Sequence, residues 1–167
     1  MASGRRSRAR LESEVLALLE DFPRQLLALE SAMEEFGGNF DLKEFKPAFE
    51  NQAGIKAYNR VQAVERAFSR VQNHVSQLSL SGAALAGLQL PKTHEGKAAQ
   101  AFEALREAGV LDATACKRLK RAQKARAAIE HSYVEVKAGQ VHEAVELVAT
   151  SARAFIGPYK EWIAEHL

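Results

Sequence analysis

The sequence predicts an all-α protein, an up-and-down bundle of four to five helices. Three observations carry this. Apolar residues recur three and four apart in several long stretches, the spacing of one helix face. No stretch alternates polar and apolar with the period of two that a half-buried strand requires. Glycines, prolines and capping residues fall between the periodic stretches, where connections belong. There is no internal repeat, and twelve aromatics (eight Phe, three Tyr, one Trp) with four prolines are few for an all-β chain.

The elements follow in order. The first ten residues, Met1 to Arg10, read as a disordered basic tail, and residues 11–167 as one helical domain. The first helix runs from about residue 10 to Phe36. Leu11, Val15, Leu18, Phe22, Leu29, Met33 and Phe36 share a face, with Leu26 filling its gap. Pro23 removes a backbone donor and is expected to bend or restart this helix. Gly37 and Gly38 stop it. Asp41 begins a second helix, and Glu44 three residues on gives it the form of a capping box. Gly54 breaks that segment ahead of a stronger one with Tyr58, Val61, Phe68, Val71, Val75 and Leu78 along one side. Ser79 to Leu90 is small, glycine-bearing and weakly patterned, and reads as a loop ending at Pro91.

Thr93 is expected to cap a third helix, which contributes Phe102 and Leu105 to the core and stops at Gly109. Asp112 caps a fourth helix, ending near Val136 to Gly139. A fifth, from about Gln140 to the C-terminus, presents Val141, Val145, Val148, Ala152, Phe155, Tyr159 and Trp162, with Pro158 as a possible kink.

Bulk properties exclude several classes. The formal net charge is +2, so any preference for nucleic acid must come from local clustering. The single cysteine, Cys116, rules out an internal disulfide framework and fits a cytoplasmic location. Glu12 and Glu14 stand where the apolar part of a signal peptide would lie. No run is long and apolar enough to cross a bilayer. His74, His94, His142 and His166 are scattered without metal-ligand spacing, and there is no phosphate loop or dinucleotide fingerprint, so no metal or cofactor is argued. Cys116 has no catalytic partner in sequence and reads as a small core residue.

The chemistry concentrates on the fourth helix. From Leu119, steps of three and four give Ala122, Arg126, Ile129, Tyr133 and Val136, a seam interrupted by one guanidinium. Ala122, Ala125, Ala127 and Ala128 surround Arg126 with small side chains, which would let another helix approach. A buried guanidinium needs a carboxylate, a phosphate or a wet cleft. His131 stands five residues later, roughly 140° around a straight helix. Three arrangements would bring the two together: a curled arginine, a helix that deforms near His131, or a site shared across a two-fold axis, which the alanine-lined seam favours. Arg126 with Glu130, and His131 with Glu135, are also spaced as ordinary surface ion pairs. Upstream, Lys117, Arg118, Lys120, Arg121 and Lys124 form a basic lead-in, of which a subset can face one RNA backbone.

At these residues the chain resembles the HEPN superfamily, and within it the HepT-like toxins of toxin–antitoxin pairs. Their Arg-x4-His-x-Tyr signature is met by Arg126, His131 and Tyr133. The order of elements agrees over roughly residues 58–162, including the stretch from Phe102 to Asp112 that precedes the motif helix. The resemblance implies a metal-independent endoribonuclease with no cofactor, acting as a homodimer with a composite cleft. It implies Arg126 as the phosphate-holding group, His131 as general acid or base, and Tyr133 as a substrate contact. It also implies a partner, a minimal nucleotidyltransferase antitoxin that in some systems adds AMP to the motif tyrosine. One departure stands out: many of these nucleases carry a polar residue directly after the arginine, and this chain has Ala127. The alternative is a non-catalytic HEPN module that binds or regulates a nucleotidyltransferase; a plain helical dimer that binds nucleic acid is the third reading.

Overall fold

The computed structural model describes residues 7–131 and 135–167. Among these the chain is all-helical: α1 Arg8–Glu34, α2 Leu42–Phe49, α3 Ile55–Leu85, α4 Lys97–Glu107, α5 Ala113–Glu130 and α6 Ala138–Ala164. No described helix is long and apolar enough to cross a membrane. The count is six because the break expected at Gly54, which adopts φ +89°, separates α2 and α3 into two full helices.

α3 is the spine, packing against each of the other five helices. Its neighbours' directions follow from their pairings. Asp21 of α1 meets His74, and Glu35 beyond α1 meets Arg60, so α1 and α3 run antiparallel. Gln123 of α5 meets Gln72 and Ser76, while Glu130 meets Ser69, so α5 is antiparallel to α3 as well. The expected apolar faces form the core: Val15, Phe22 and Leu29 of α1, Val61, Phe68, Val71, Val75 and Leu78 of α3, and Val145, Val148 and Phe155 of α6 are buried. Burial of such faces is the main favourable contribution to folding.

Several boundaries differ from expectation, each for a local reason. α1 takes in Arg8 to Arg10, three residues placed in the tail, because Ser7 caps it by accepting from the Arg10 N–H at 3.3 Å. The helix is continuous through Pro23; the lost donor is outweighed by the flanking Phe22 and Leu26, both buried. At α2 only the Asp41 half of the capping box forms: its carboxylate accepts from the Lys43 N–H at 2.9 Å, while the Asp41 N–H donates to the Phe36 carbonyl at 2.8 Å. α4 is preceded by Gly96, and Thr93 instead makes a turn in which its hydroxyl accepts from the Glu95 N–H at 3.2 Å. Asp112 caps α5 as expected, accepting from the Ala115 N–H at 2.7 Å. α6 likewise runs without interruption through Pro158.

The largest correction concerns Ser79 to Leu85, read as loop and in fact the last turns of α3. Their small side chains are a packing surface. Ser79, Ser81, Gly82 and Ala83 are buried. Tyr159 of α6 crosses at Gly82 and donates to the Leu78 carbonyl at 2.5 Å. A Cβ at Gly82 would overlap the Tyr159 hydroxyl. Gly82→Ala should therefore destabilise the protein by about 2 kcal/mol, within the overpacking range. Adding Tyr159→Phe should recover part of that loss, because the hydroxyl is what the new methyl meets. Chemical denaturation of both variants reads the coupling; purely additive losses would contradict the packing described.

Candidate functional site

The fourth predicted helix was expected to reach Val136 to Gly139, but α5 ends at Glu130, and His131 is its C-cap at φ −106° and ψ 12°. The motif therefore straddles the end of a helix. Arg126 lies on the last full turns and His131 at the exit, where its side chain is exposed. His131 leaves helix geometry at the end of α5, and among the described residues no hydrogen bond joins its ring to Arg126, whose partner is Glu130. Tyr133 lies outside the described residues.

Arg126 is mostly withdrawn from water, with 16% of its side chain exposed. Its need for negative charge is met by Glu130, one turn on. The contact is a two-pronged one: Nη2 lies 2.9 Å from Oε2, and Nε donates to Oε1 at 3.1 Å. Glu130 is anchored in turn from across the helix interface, where the Ser69 hydroxyl of α3 donates to its Oε1. Burial pushes the Glu130 carboxyl up, but the Ser69 and Arg126 hydrogen bonds and the charges of Arg126 and His131 together hold it below its usual range. The ion-pair reading of Arg126 and Glu130 is thus correct for this chain, with the addition that Ser69 ties the glutamate of this intrahelical pair to α3.

Beneath this contact α3 and α5 share a polar rung. Gln72 is fully buried, and its amide donates to Gln123 Oε1 at 2.8 Å. The Ser76 hydroxyl lies 2.8 Å from the same oxygen and 3.0 Å from the Gln72 carbonyl. Beside it, Gln62, Glu65, Arg66, Ser69 and Arg70 of α3 and Glu130 of α5 line a shallow depression of about 370 Å³. The Glu65 carboxyl there is raised by burial, partly offset by a hydrogen bond from Gln62. Sequence reasoning singled out none of Arg66, Ser69 or Arg70. The available signal was weak: Ser69, Gln72 and Ser76 follow one another along α3 at spacings of three and four, beside its buried apolar face.

The alanine seam divides between two neighbours. Ala122 is buried, whereas Ala125 and Ala128 line a groove of about 460 Å³ between α5 and α6, with Arg121 and Lys124 on the α5 side and Gln140 and Glu143 opposite. The basic lead-in divides likewise. Lys117, Arg118 and Lys124 are exposed, and Arg121 faces Glu143 at 3.9 Å. Lys120 is committed to structure: its ammonium lies 3.0 Å from Glu95 and 2.9 Å from Glu103. Of the five lead-in residues, Lys120 thus has its charge met within the fold by two carboxylates.

Two other histidines hold architecture together. His74 bridges Asp21 at 3.0 Å and the Arg70 carbonyl at 2.9 Å. His142 stacks on Phe40 with ring centres 4.3 Å apart and sits 2.5 Å from that residue's carbonyl oxygen. Cys116 lies against Glu103; burial, then the negative charge of that carboxylate, pushes the thiol up to about 11, far from a reactive thiolate.

Hydrogen bonds from Lys120 and then Arg106 hold the Glu103 carboxyl down to about 2. A depressed carboxylate contributes stability that is present above its unfolded value, near 4.5, and fades as pH falls towards about 2. Glu103→Gln should accordingly lower unfolding free energy at pH 7 by about 1 kcal/mol, the scale of a partly exposed ion pair. The gap between wild type and variant should close as the pH is taken from 5 to about 2. A gap that is constant across that range, measured by urea unfolding, would remove the charge network as its cause.

No protein-family model matches the chain, and neither a curated protein nor a solved structure was found that matches it.

Proposed function

We propose that the chain is a HEPN-like, HepT-type endoribonuclease that acts on RNA in the cytoplasm without a metal, as an up-and-down helical homodimer with a composite site. The observation that carries this reading is the geometry at the end of α5. A mostly buried guanidinium there grips an oxyanion with two donors, and an exposed imidazole occupies the first position beyond the helix. A fork gripping a carboxylate is the same geometry that grips a phosphodiester.

RNA supplies its own nucleophile. His131 accepts the 2′-hydroxyl proton as the O2′–P bond forms. Arg126 offsets the charge that builds on the non-bridging oxygens. The P–O5′ bond breaks and the departing 5′ oxygen takes a proton from water, leaving a 2′,3′-cyclic phosphate, a 5′-hydroxyl and a protonated His131 that returns its proton to solvent. A second copy of the chain would supply the facing half of the cleft. Lys117, Arg118, Arg121 and Lys124 are the lead-in charges open to the RNA backbone. Tyr133 is the substrate contact and the acceptor for AMP from a minimal nucleotidyltransferase antitoxin. AMP there would bring bulk and negative charge to the position of the substrate phosphate.

A second reading is favoured by two observations: Arg126 is already satisfied by Glu130, and Ala127 supplies no polar group beside it. In that reading the chain is a non-catalytic HEPN module that binds or regulates a nucleotidyltransferase.

His131→Ala should reduce RNA cleavage by about 10²- to 10⁴-fold, the usual scale of general acid–base catalysis, while leaving RNA binding within a few-fold. Cleavage by the variant at the wild-type rate would end the nuclease assignment. The antitoxin part has a separate test by intact mass. Co-expression with a minimal nucleotidyltransferase should add one AMP to the wild type and none to Tyr133→Phe; an unchanged adduct on the variant would place the modification elsewhere.

A further inference from the structure

The nuclease reading assigns no role to the α3 side of the α5 end, where three features stand together. Ser69 gives its hydroxyl to a carboxylate instead of to a backbone carbonyl of its own helix, as Ser76 and Ser79 can. Arg66 and Arg70 are exposed on the rim of the same depression and form no ion pair among the described residues. Glu130, which closes the depression, is the one group that the Ser69 hydroxyl and the Arg126 fork share. These donors converge on the position of a carboxylate, and a carboxylate and a phosphate diester oxygen accept alike.

We infer that Glu130 is a resident substitute for a backbone phosphate of single-stranded RNA, occupying an anion subsite whose donors are Ser69 of α3 and Arg126 of α5, with Arg66 and Arg70 of α3 on its rim. This rests on the RNA-directed reading above and deepens it. Phosphate and Glu130 cannot share the donors, so RNA binds as the Glu130 side chain turns out towards solvent. Ser69 and Arg126 pass to the phosphate, and Arg66 and Arg70 flank the strand. Three arginines against Glu65 and Glu130 leave one net positive charge in the cradle. Displacing or neutralising Glu130 leaves two. Glu130 thus sets the threshold for binding: a weakly held anion does not displace it, whereas a strand that gains contacts at neighbouring phosphates does.

The test is fluorescence anisotropy with a labelled single-stranded 2′-deoxy oligonucleotide, which has no 2′-hydroxyl and so reads binding apart from cleavage. Glu130→Gln should bind it about tenfold more tightly than wild type, a change of about 1.4 kcal/mol. Arg66→Gln with Arg70→Gln should bind several-fold more weakly and flatten the dependence of log Kd on log salt by about one. Equal or weaker binding by a Glu130→Gln protein that still unfolds cooperatively would overturn the subsite. Should that variant fail to fold, the exposed arginine pair decides alone, and an unchanged Kd and salt slope overturns it. Tighter binding by Glu130→Gln in a protein that cleaves no RNA would sink the nuclease reading and leave the subsite standing. Normal cleavage with unaltered binding in both variants would do the reverse.

Discussion

A guanidinium that leaves water must meet negative charge, and the end of α5 is arranged around that requirement. Arg126 stands on a surface of small residues where packing alone would select an aliphatic side chain. Left unpaired there it would cost several kcal/mol. The chain meets the demand with Glu130, one turn away, and then fixes Glu130 from α3 through Ser69. A local ion pair on an exposed helix is worth a few tenths of a kcal/mol. Here the arginine side is mostly withdrawn from solvent and the glutamate side is tied to a second helix, so the pair also links α5 to α3. The Gln72, Ser76 and Gln123 rung below it acts in the same sense, since buried polar groups tolerate one alignment and penalise others.

That arrangement has a chemical consequence. The donors that satisfy Glu130 are preorganised for an oxyanion, and preorganised donors are what phosphoryl chemistry requires of a protein. His131 stands at the point where the helix stops, and it is exposed there. The basic residues upstream are unequal: Lys120 belongs to a carboxylate network with Glu95 and Glu103, and the others remain at the surface.

Much of the fold was legible in the sequence, because long amphipathic helices write their buried faces at spacings of three and four. Val61, Phe68, Val71, Val75 and Leu78 were read as one face and are buried together. Asp41, Gly54, Gly109 and Asp112 marked boundaries through local chemistry, a capping carboxylate or a positive φ, and they hold. Ser79 to Leu85 was misread because a helix that packs through small residues lacks the large apolar side chains on which periodicity depends. Thr93 was misread because a turn and a cap use the same hydroxyl in the same way. At the site, Arg126, Glu130 and their spacing were visible, and so was the option that they pair. Ser69 was not, since it lies 61 residues from its partner and no local pattern links them. Tyr133 falls outside the described residues.

The state of the Glu130 carboxylate decides whether this account is right. Carbon-13 NMR of the side-chain carboxyls, titrated across the acidic range, measures it in the intact protein. Glu130 should titrate below the ordinary value of 4.5 in the wild type and rise to that value or above it in Ser69→Ala combined with Arg126→Gln, where burial is left largely unopposed. A midpoint at or above that value in the wild type would mean that the carboxylate is not gripped, and the cradle at the end of α5 would have no basis.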